Sequence, residues 1–393
     1  MDPTNTNIDS NISSSNEGSH FFEGVEKLLE VWFSKKDKKT RNCDLRKIPR
    51  AELDALLEIV KCTIISERKN DIIDSYVLSE SSMFITKNRF ILKTCGTTTP
   101  LKCLSHLIGL VETYSGYNDI EDLYYSRKNY KRPELQRMPH RSFNEEAALL
   151  DELFPDGAAY CFGSVNRDCW YLYTLNPVLP AEVLRRVSSG GSLSDGQSDT
   201  ESIESDGSEN SDDSGIAAWL ESGTRGLTEC QDRDHTIEIL MTNLDPELMK
   251  IFTKECSKTA AEATEKSGID RIIPGCVIDD YLFDPCGYSM NGILKTGEYM
   301  TIHITPEKEF SYVSFESNIS HDCYRAVIQR VLDTFRPGKF VVTAFACKGL
   351  DGDKTHKEIT TYTLGEDYLR RDLQYCQLKN YDLTYALYSK FPS

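Results

Sequence analysis

Apolar and polar residues alternate most cleanly over residues 299–305. Tyr299, Thr301, His303 and Thr305 fall on one side there, and Met300, Ile302 and Ile304 on the other. A period of two is that of a strand with unlike faces, and Pro306 stops its ladder. Phe90-Ile91-Leu92-Lys93-Thr94-Cys95 repeats the pattern, with Ile91, Lys93 and Cys95 sharing a face. Helical spacing predicts helices over 24–34, 50–60, 103–114, 144–153, 245–255 and 320–335. Phe21 to Phe33 reads as amphipathic, and Glu23, Glu26 and Glu30 would form one acidic stripe if that segment is helical throughout. Strands interleaved with helices, without a Gly-rich phosphate loop, predict an α+β fold.

Two stretches break the pattern. Residues 1–19 are polar, rich in Ser and Asn and free of Lys and Arg, and read as a disordered extension rather than a secretory signal. Residues 187–231 are Ser-, Gly- and acid-rich and read as a disordered insert within the fold. Its Ser192 and Ser198 each have an acid three residues on, a pattern of acid-directed kinase sites, although a solvated spacer is the plainer reading. Eight of the acids that give the chain its net charge of −17 lie between residues 190 and 214, and the rest of the chain carries −9. That balance excludes a typical nucleic-acid binder and suits cationic ligands. No apolar run approaches the ~20 residues that span a bilayer. The 13 cysteines form no close CxxC pair, so neither a zinc site nor a disulfide scaffold is expected. They fit a reducing cytosol, most of them as buried apolar residues.

The candidate chemistry centres on a Glu-Ser dipeptide. Glu-Ser occurs at 80–81, 201–202, 204–205, 221–222 and 316–317, and alone it is a surface turn. The first sits in Leu78-Ser79-Glu80-Ser81-Ser82-Met83-Phe84 and is followed by Arg89-Phe90-Ile91-Leu92-Lys93-Thr94-Cys95-Gly96-Thr97-Thr98. His20-Phe21-Phe22-Glu23-Gly24, Pro139-His140-Arg141, Gly157-Ala158-Ala159-Tyr160-Cys161 and Cys169-Trp170-Tyr171-Leu172-Tyr173-Thr174 extend the series. So do Pro285-Cys286-Gly287-Tyr288-Ser289-Met290-Asn291-Gly292 and Thr301-Ile302-His303-Ile304-Thr305-Pro306-Glu307. Together these strings resemble the eukaryotic S-adenosylmethionine decarboxylase proenzymes over roughly residues 20–185 and 232–345.

The resemblance implies a four-layer αββα sandwich of two antiparallel sheets with internal duplication. A pairing of Ser82-Met83 with Ser289-Met290, each followed by a strand bearing Cys95 or His303, is the sequence hint of that duplication. The implied domain runs over 20–345, interrupted by 187–231, with 346–393 as a weakly matched C-terminal part. It also implies self-cleavage between Glu80 and Ser81. Ser81 attacks the preceding carbonyl, the amide becomes an ester, and elimination leaves a pyruvoyl group that forms a Schiff base with the substrate amine. No metal and no pyridoxal phosphate are expected.

Site residues carry over motif by motif. His303 would take the Ser81 α-proton and Ser289 would hydrogen-bond the rearranging carbonyl. Cys95 would be the proton donor after decarboxylation, a task that suits a thiol of ordinary pKa near 8.5. Phe22 and Phe283 would hold the adenine of S-adenosylmethionine and Glu307 its ribose, with Glu23 and Glu26 pointing into the active site. Glu30, Ser126, Asp234, Thr236, Glu238 and Glu316 would form an acidic site for putrescine as activator, bridged to catalysis by Lys93. The expected assembly is a cytoplasmic homodimer of cleaved protomers, without nucleic-acid or membrane partners. Rival readings are a catalytically silent regulatory paralogue that dimerises with an active enzyme, and a binding module whose acidic insert recruits basic partners. Self-cleavage separates the enzyme from both.

Overall fold

Among the described residues the strands form two eight-stranded antiparallel sheets. The computed structural model describes residues 21–37, 39–175, 234–319, 324–348 and 367–391, with residues 357, 359, 360 and 364. The predicted extension 1–19 and the insert 187–231, Ser192 and Ser198 included, lie outside the described residues.

The first sheet contains β1 (Lys27–Ser34), β2 (Ile64–Lys69), β3 (Asp74–Leu78), β4 (Ser81–Ile85), β5 (Arg89–Thr94), β6 (Asp119–Lys128), β7 (Gly157–Gly163) and β8 (Cys169–Leu175), in the order β2-β3-β4-β5-β1-β6-β8-β7. The second contains β9 (Thr236–Thr242), β10 (Val277–Leu282), β11 (Tyr288–Ile293), β12 (Tyr299–Thr305), β13 (Tyr312–Ser317), β14 (Lys339–Cys347), β15 (Tyr368–Gln377) and β16 (Tyr381–Lys390). Its order is β10-β11-β12-β13-β9-β14-β16-β15. Adding eight to each strand number of the first sheet reproduces the second, so the predicted duplication is present in the topology. The expected pairing of its halves is displaced by one strand. Ser82-Met83 lies on β4, whose counterpart is β12, whereas Ser289-Met290 lies on β11, the counterpart of β3.

Helices cover the outer faces. α1 (Arg50–Val60) carries Leu53, Leu56, Leu57 and Val60 at helical spacing and ends at Lys61 in the left-handed region. α2 (Leu104–Leu110) is the central part of the predicted 103–114 segment. α3 (Phe143–Leu153) starts at Ser142, whose hydroxyl accepts the Glu145 N–H as an N-cap. These helices bury their apolar stripe with Leu29, Val31, Met83 and Leu92 of the first sheet. α4 (Ala260–Ser267) and α5 (Tyr324–Phe335) do the same with Ile239, Met290, Met300 and Ile302 of the second. Each such aliphatic side chain contributes about 1.5–3 kcal/mol by leaving water. Trp32, Tyr124 and Leu172 of the first sheet meet Leu240, Tyr312 and Val341 of the second. The result is four layers, αββα.

The predicted helix over 24–34 is instead an approach segment and the central strand β1, which pairs with β5 on one side and β6 on the other. Both of its faces are buried, so no clean alternation marks it in the sequence. Val31, Trp32 and Phe33 favour a strand, and ladders on both edges outweigh the apparent helical spacing. The predicted helix over 245–255 shortens to a helical turn at Pro246–Met249 followed by a 3-10 turn at Lys250–Phe252. The alternation read over 299–305 coincides with β12, and the shared face of Met300, Ile302 and Ile304 packs with the helices.

Candidate active site

Ser81 opens β4 after the two-residue turn that follows Leu78, and it has φ of 122°. A serine in that region is strained, at a cost of about 1–3 kcal/mol. The carbonyl before it, that of Glu80, accepts the Cys95 N–H at 3.1 Å. The Cys95 thiol lies 3.6 Å from the same oxygen and 3.8 Å from Glu80 Oε2. A strained serine thus adjoins a carbonyl polarised by a backbone donor. Burial pushes the Cys95 thiol well up, helped by the Glu80 carboxylate, so the protonated form dominates.

Ser81 Oγ is 3.5 Å from Glu26 Oε1. Glu26 is fully buried, and burial raises its pKa to about 7. Lys93, 3.7 Å away, opposes this but is shared with Glu238 at 2.8 Å and Glu316 at 2.7 Å. Tyr312 donates to the other Glu26 oxygen at 3.4 Å.

His303, on β12, faces this group from the second sheet. Its Nε2 lies 3.0 Å from Ser82 Oγ, 2.8 Å from Thr301 Oγ1 and 3.8 Å from Glu26 Oε1. Its Nδ1 lies 2.9 Å from Ser289 Oγ. Burial and the Lys93 ammonium hold the imidazole well below its ordinary pKa, so it is neutral and able to accept a proton. Ser289 therefore adjoins the ring of His303, while the donor to the Glu80 carbonyl is Cys95 N–H. With Ser289 accepting from Nδ1–H, Nε2 is the basic nitrogen.

The acidic residues assemble between the sheets rather than along a helix. On β1, Glu30 shares a face with Trp32 and Leu28, and Glu26 continues it. Arg89, fully buried on β5, donates to Glu30 at 2.9 Å, to both Asp234 oxygens at 3.0 Å and to Thr236 at 3.3 Å. Glu238 and Glu316 are in register on β9 and β13, and Tyr299 donates to Glu316 at 2.7 Å. Burial raises Glu30 and Glu238 above the usual carboxylate range. Ser126 is buried on β6 opposite Leu28, on the same face.

Glu23 is turned toward backbone donors. Its carboxylate accepts the N–H groups of Lys131 at 2.9 Å and Arg132 at 3.3 Å, and its carbonyl accepts Gly96 N–H at 2.9 Å. Phe22, half-buried, lies against the Cys95-Gly96 turn. A Cβ on Gly96, whose φ is 59°, would sit 3.0 Å from both the Phe22 ring and Glu80 Oε2. Phe283 is half-buried at the turn after β10 and packs on Tyr281 with centroids 4.8 Å apart. Glu307 follows β12, and its Oε2 is buried without a hydrogen-bond partner. Among the described residues no cluster could hold a metal ion, and no helix is long and apolar enough to cross a membrane.

The family profile described as adenosylmethionine decarboxylase matches residues 19–389. The S-adenosylmethionine decarboxylase proenzyme of Drosophila melanogaster is 50% identical over 373 residues, covering 95% of this chain and 96% of its own. That of Xenopus laevis is 44% identical, covering 95% and 96%. The chain belongs to the adenosylmethionine decarboxylase family. The Caenorhabditis elegans proenzyme is 40% identical, covering 93% of this chain and 88% of its own. The crystal structure of the Trypanosoma brucei AdoMetDC-delta26 monomer has the same fold, with TM-score 0.51 and 23% identity over 78% of this chain.

The adenosylmethionine decarboxylase match continues past residue 345, where the motif strings fade. The reason is structural, since β15 and β16 complete the second sheet and Leu383 and Tyr385 enter the inter-sheet core. Several site residues carry no sequence signal of their own. Ser82 donates to Asn291 Oδ1 at 2.6 Å, and Asn291 Nδ2 donates to the Tyr76 carbonyl at 3.0 Å. Both lie inside the quoted motifs, but only the facing of β4 and β11 makes them partners. Arg89 opens one of the quoted strings without a role of its own, and Tyr312 lies outside them all. The described cysteines are more mixed than expected. Cys43, Cys62, Cys103 and Cys169 are buried free thiols, Cys161 and Cys256 are exposed, and Cys347 is disulfide-bonded.

Proposed function

We propose that this chain is a self-processing, pyruvoyl-dependent S-adenosylmethionine decarboxylase. The observation that carries the reading is the left-handed Ser81 beside a Glu80 carbonyl already held by Cys95 N–H. Ser81 Oγ adds to that carbonyl carbon, with the Cys95 N–H stabilising the oxyanion. Collapse breaks the amide and leaves an ester, relieving the backbone strain. Neutral His303, oriented by Ser289, removes the Ser81 α-proton, and elimination releases the Glu80 carboxylate. Hydrolysis of the resulting enamine expels ammonia. The pyruvoyl group so formed supplies a ketone that captures the substrate amine and draws electrons from its α-carbon during loss of carbon dioxide. The residues around Ser81 fit that group, because Glu26, Ser82 and His303 converge on its position and Cys95 keeps a protonated thiol beside it. The product is the aminopropyl donor for spermidine and spermine synthesis. Phe22, Phe283 and Glu307 are read as the adenosyl-binding residues, and the free Cys95 thiol suits a cytosolic setting.

The test is the intact mass of purified protein. Wild type should separate under denaturing conditions into residues 1–80 and 81–393. Ser81→Ala should remain one chain. His303→Ala should stall after the acyl shift, leaving an ester that hydroxylamine cuts. Cleavage of Ser81→Ala at the same bond would refute the mechanism, and an uncut wild-type chain would favour the silent-paralogue reading.

Putrescine is read as the ligand of the acidic cluster. Glu26, Glu30, Asp234, Glu238 and Glu316 are five carboxylates gathered on the two cations Arg89 and Lys93. Three negative charges are left over. A diammonium supplies two positive charges, and a protonated Glu26 removes the third. Tyr124, in register with Glu30, contacts Phe345 and Tyr381 at 5.6 and 5.7 Å, an apolar wall suited to a methylene chain. A homodimer is read through the edge strand β15, which exposes Leu369, Leu373 and Tyr375. Charging that edge with Leu373→Lys should give monomers in sedimentation, and an unchanged dimer would place the interface elsewhere.

A further inference from the structure

Lys27, the first residue of β1, has a fully buried side chain. Strand alternation sends it to the opposite face from Glu26, toward the helices. Its Nζ donates to the Gly96 carbonyl at 2.9 Å and to Gln136 Oε1 at 3.3 Å, and it lies 5.4 Å from the Tyr130 ring centroid. Among the described residues no carboxylate lies within 4.0 Å of it. An ammonium buried without a direct counter-ion is costly and is retained where it acts on something. The surroundings are not saturated either, since Gln136 Nε2 and His140 Nε2 are buried without hydrogen-bond partners. What the ammonium grips is the residue after Cys95, and Gly96 is held from its other side by the Glu23 carbonyl.

We propose that Lys27 is a positioning residue for the reaction, its buried ammonium clamping the Gly96 carbonyl so that the Cys95 thiol stays beside the Glu80–Ser81 bond. The inference rests on the reading of Cys95 as proton donor. The groups facing Lys27 are Glu23 before β1, Glu80 in the β3–β4 turn, Cys95 after β5, Arg127 on β6, Tyr130, Gln136 and His140 beyond it, and Glu146 on α3. Burial, then the Arg127 guanidinium, hold Lys27 down to about 8 against Cys95 and Glu146. It is therefore charged at neutral pH. Its field opposes the burial and the Glu80 charge that push the Cys95 thiol up.

The test uses the full-length Ser81→Ala chain, which keeps Glu80 and Cys95 in the uncleaved arrangement. Iodoacetamide alkylation of Cys95, followed by peptide mass from pH 6 to 8, reads the thiol directly. Lys27→Met should lower the rate roughly tenfold at pH 6 to 7, where Lys27 is charged, with the gap narrowing toward pH 8 as the parent ammonium loses its proton. Lys27→Gln, a neutral variant that keeps a donor for Gly96, should shift less than Lys27→Met, and Lys27→Arg should stay near the parent. A Lys27→Met chain that folds and superposes on the parent curve would overturn the proposal. In the processed enzyme Lys27→Met should lower kcat with little change in KM. Cys95→Ala run beside it separates the two ideas. Wild-type turnover in Cys95→Ala removes the donor reading itself, whereas a deficit there with normal kcat in Lys27→Met removes only Lys27.

Discussion

Glu26 sits where the two halves of the chemistry meet, within reach of Ser81, Lys93, Tyr312 and His303. Burial raises its pKa to about 7, so it changes charge near neutrality. The sign follows from linkage. The unfolded chain releases this proton near 4.5 and the folded chain only near 7. The group therefore favours folding below the unfolded value, and that contribution is lost as pH rises through the folded value. The difference is on the order of 3 kcal/mol. Glu26→Gln should remove this slope. Urea unfolding at pH 5 and pH 8 should show the variant gaining relative to wild type at the higher pH. A difference from wild type that is the same at both pH values would mean that Glu26 stays charged throughout.

At the scale of elements, β1 and the turn after β5 do most to assemble the site. β1 delivers Glu30 to the inter-sheet side and Lys27 to the helix side. The Cys95-Gly96 turn places a thiol, a backbone N–H and the support for Phe22 within two residues. Its geometry depends on Gly96, at φ of 59° with Phe22 and Glu80 Oε2 in near contact. Gly96→Ala forces a left-handed alanine, about 1 kcal/mol in strain, and pushes Phe22 aside. The Tm should fall by ~2–4 °C per kcal/mol lost. The KM for S-adenosylmethionine should rise several-fold. Unchanged KM alongside a lowered Tm would separate Phe22 from substrate binding.

At the scale of the molecule, each sheet packs an apolar face outward on its helices, and the two enclose between them a layer that is part aromatic and aliphatic core and part charged cluster. Lys93 crosses that layer from β5 to Glu238 on β9 and Glu316 on β13, so charge at the acidic cluster reaches Glu26 and His303 through one side chain. A diammonium that neutralises the cluster would bias this network, the differential stabilisation that an activator requires. Putrescine should raise activity or processing in wild type. Asp234→Asn, which removes a charge without touching Ser81 or His303, should lose most of that response. Activity measured against putrescine concentration decides it, and a flat wild-type curve would remove the site.

The sequence alone determined the family and the alternation of β12, and it pointed to the Glu80–Ser81 bond, Cys95 and His303 as candidates, because each is a local string or a period-two pattern. It also carried the two-sheet architecture, through resemblance. It misread 24–34 as a helix, because a strand buried on both faces has no polar side to mark its period. It paired the duplicated halves one strand out of step, since short Ser-Met strings do not carry topology. Only the tertiary structure decided that Ser289 adjoins His303 and that Cys95 N–H meets the Glu80 carbonyl. The union of Arg89, Lys93 and five distant carboxylates in one layer was also a tertiary outcome. Those contacts join residues far apart in the chain, and their chemistry depends on a burial that exists only once the two sheets have closed face to face.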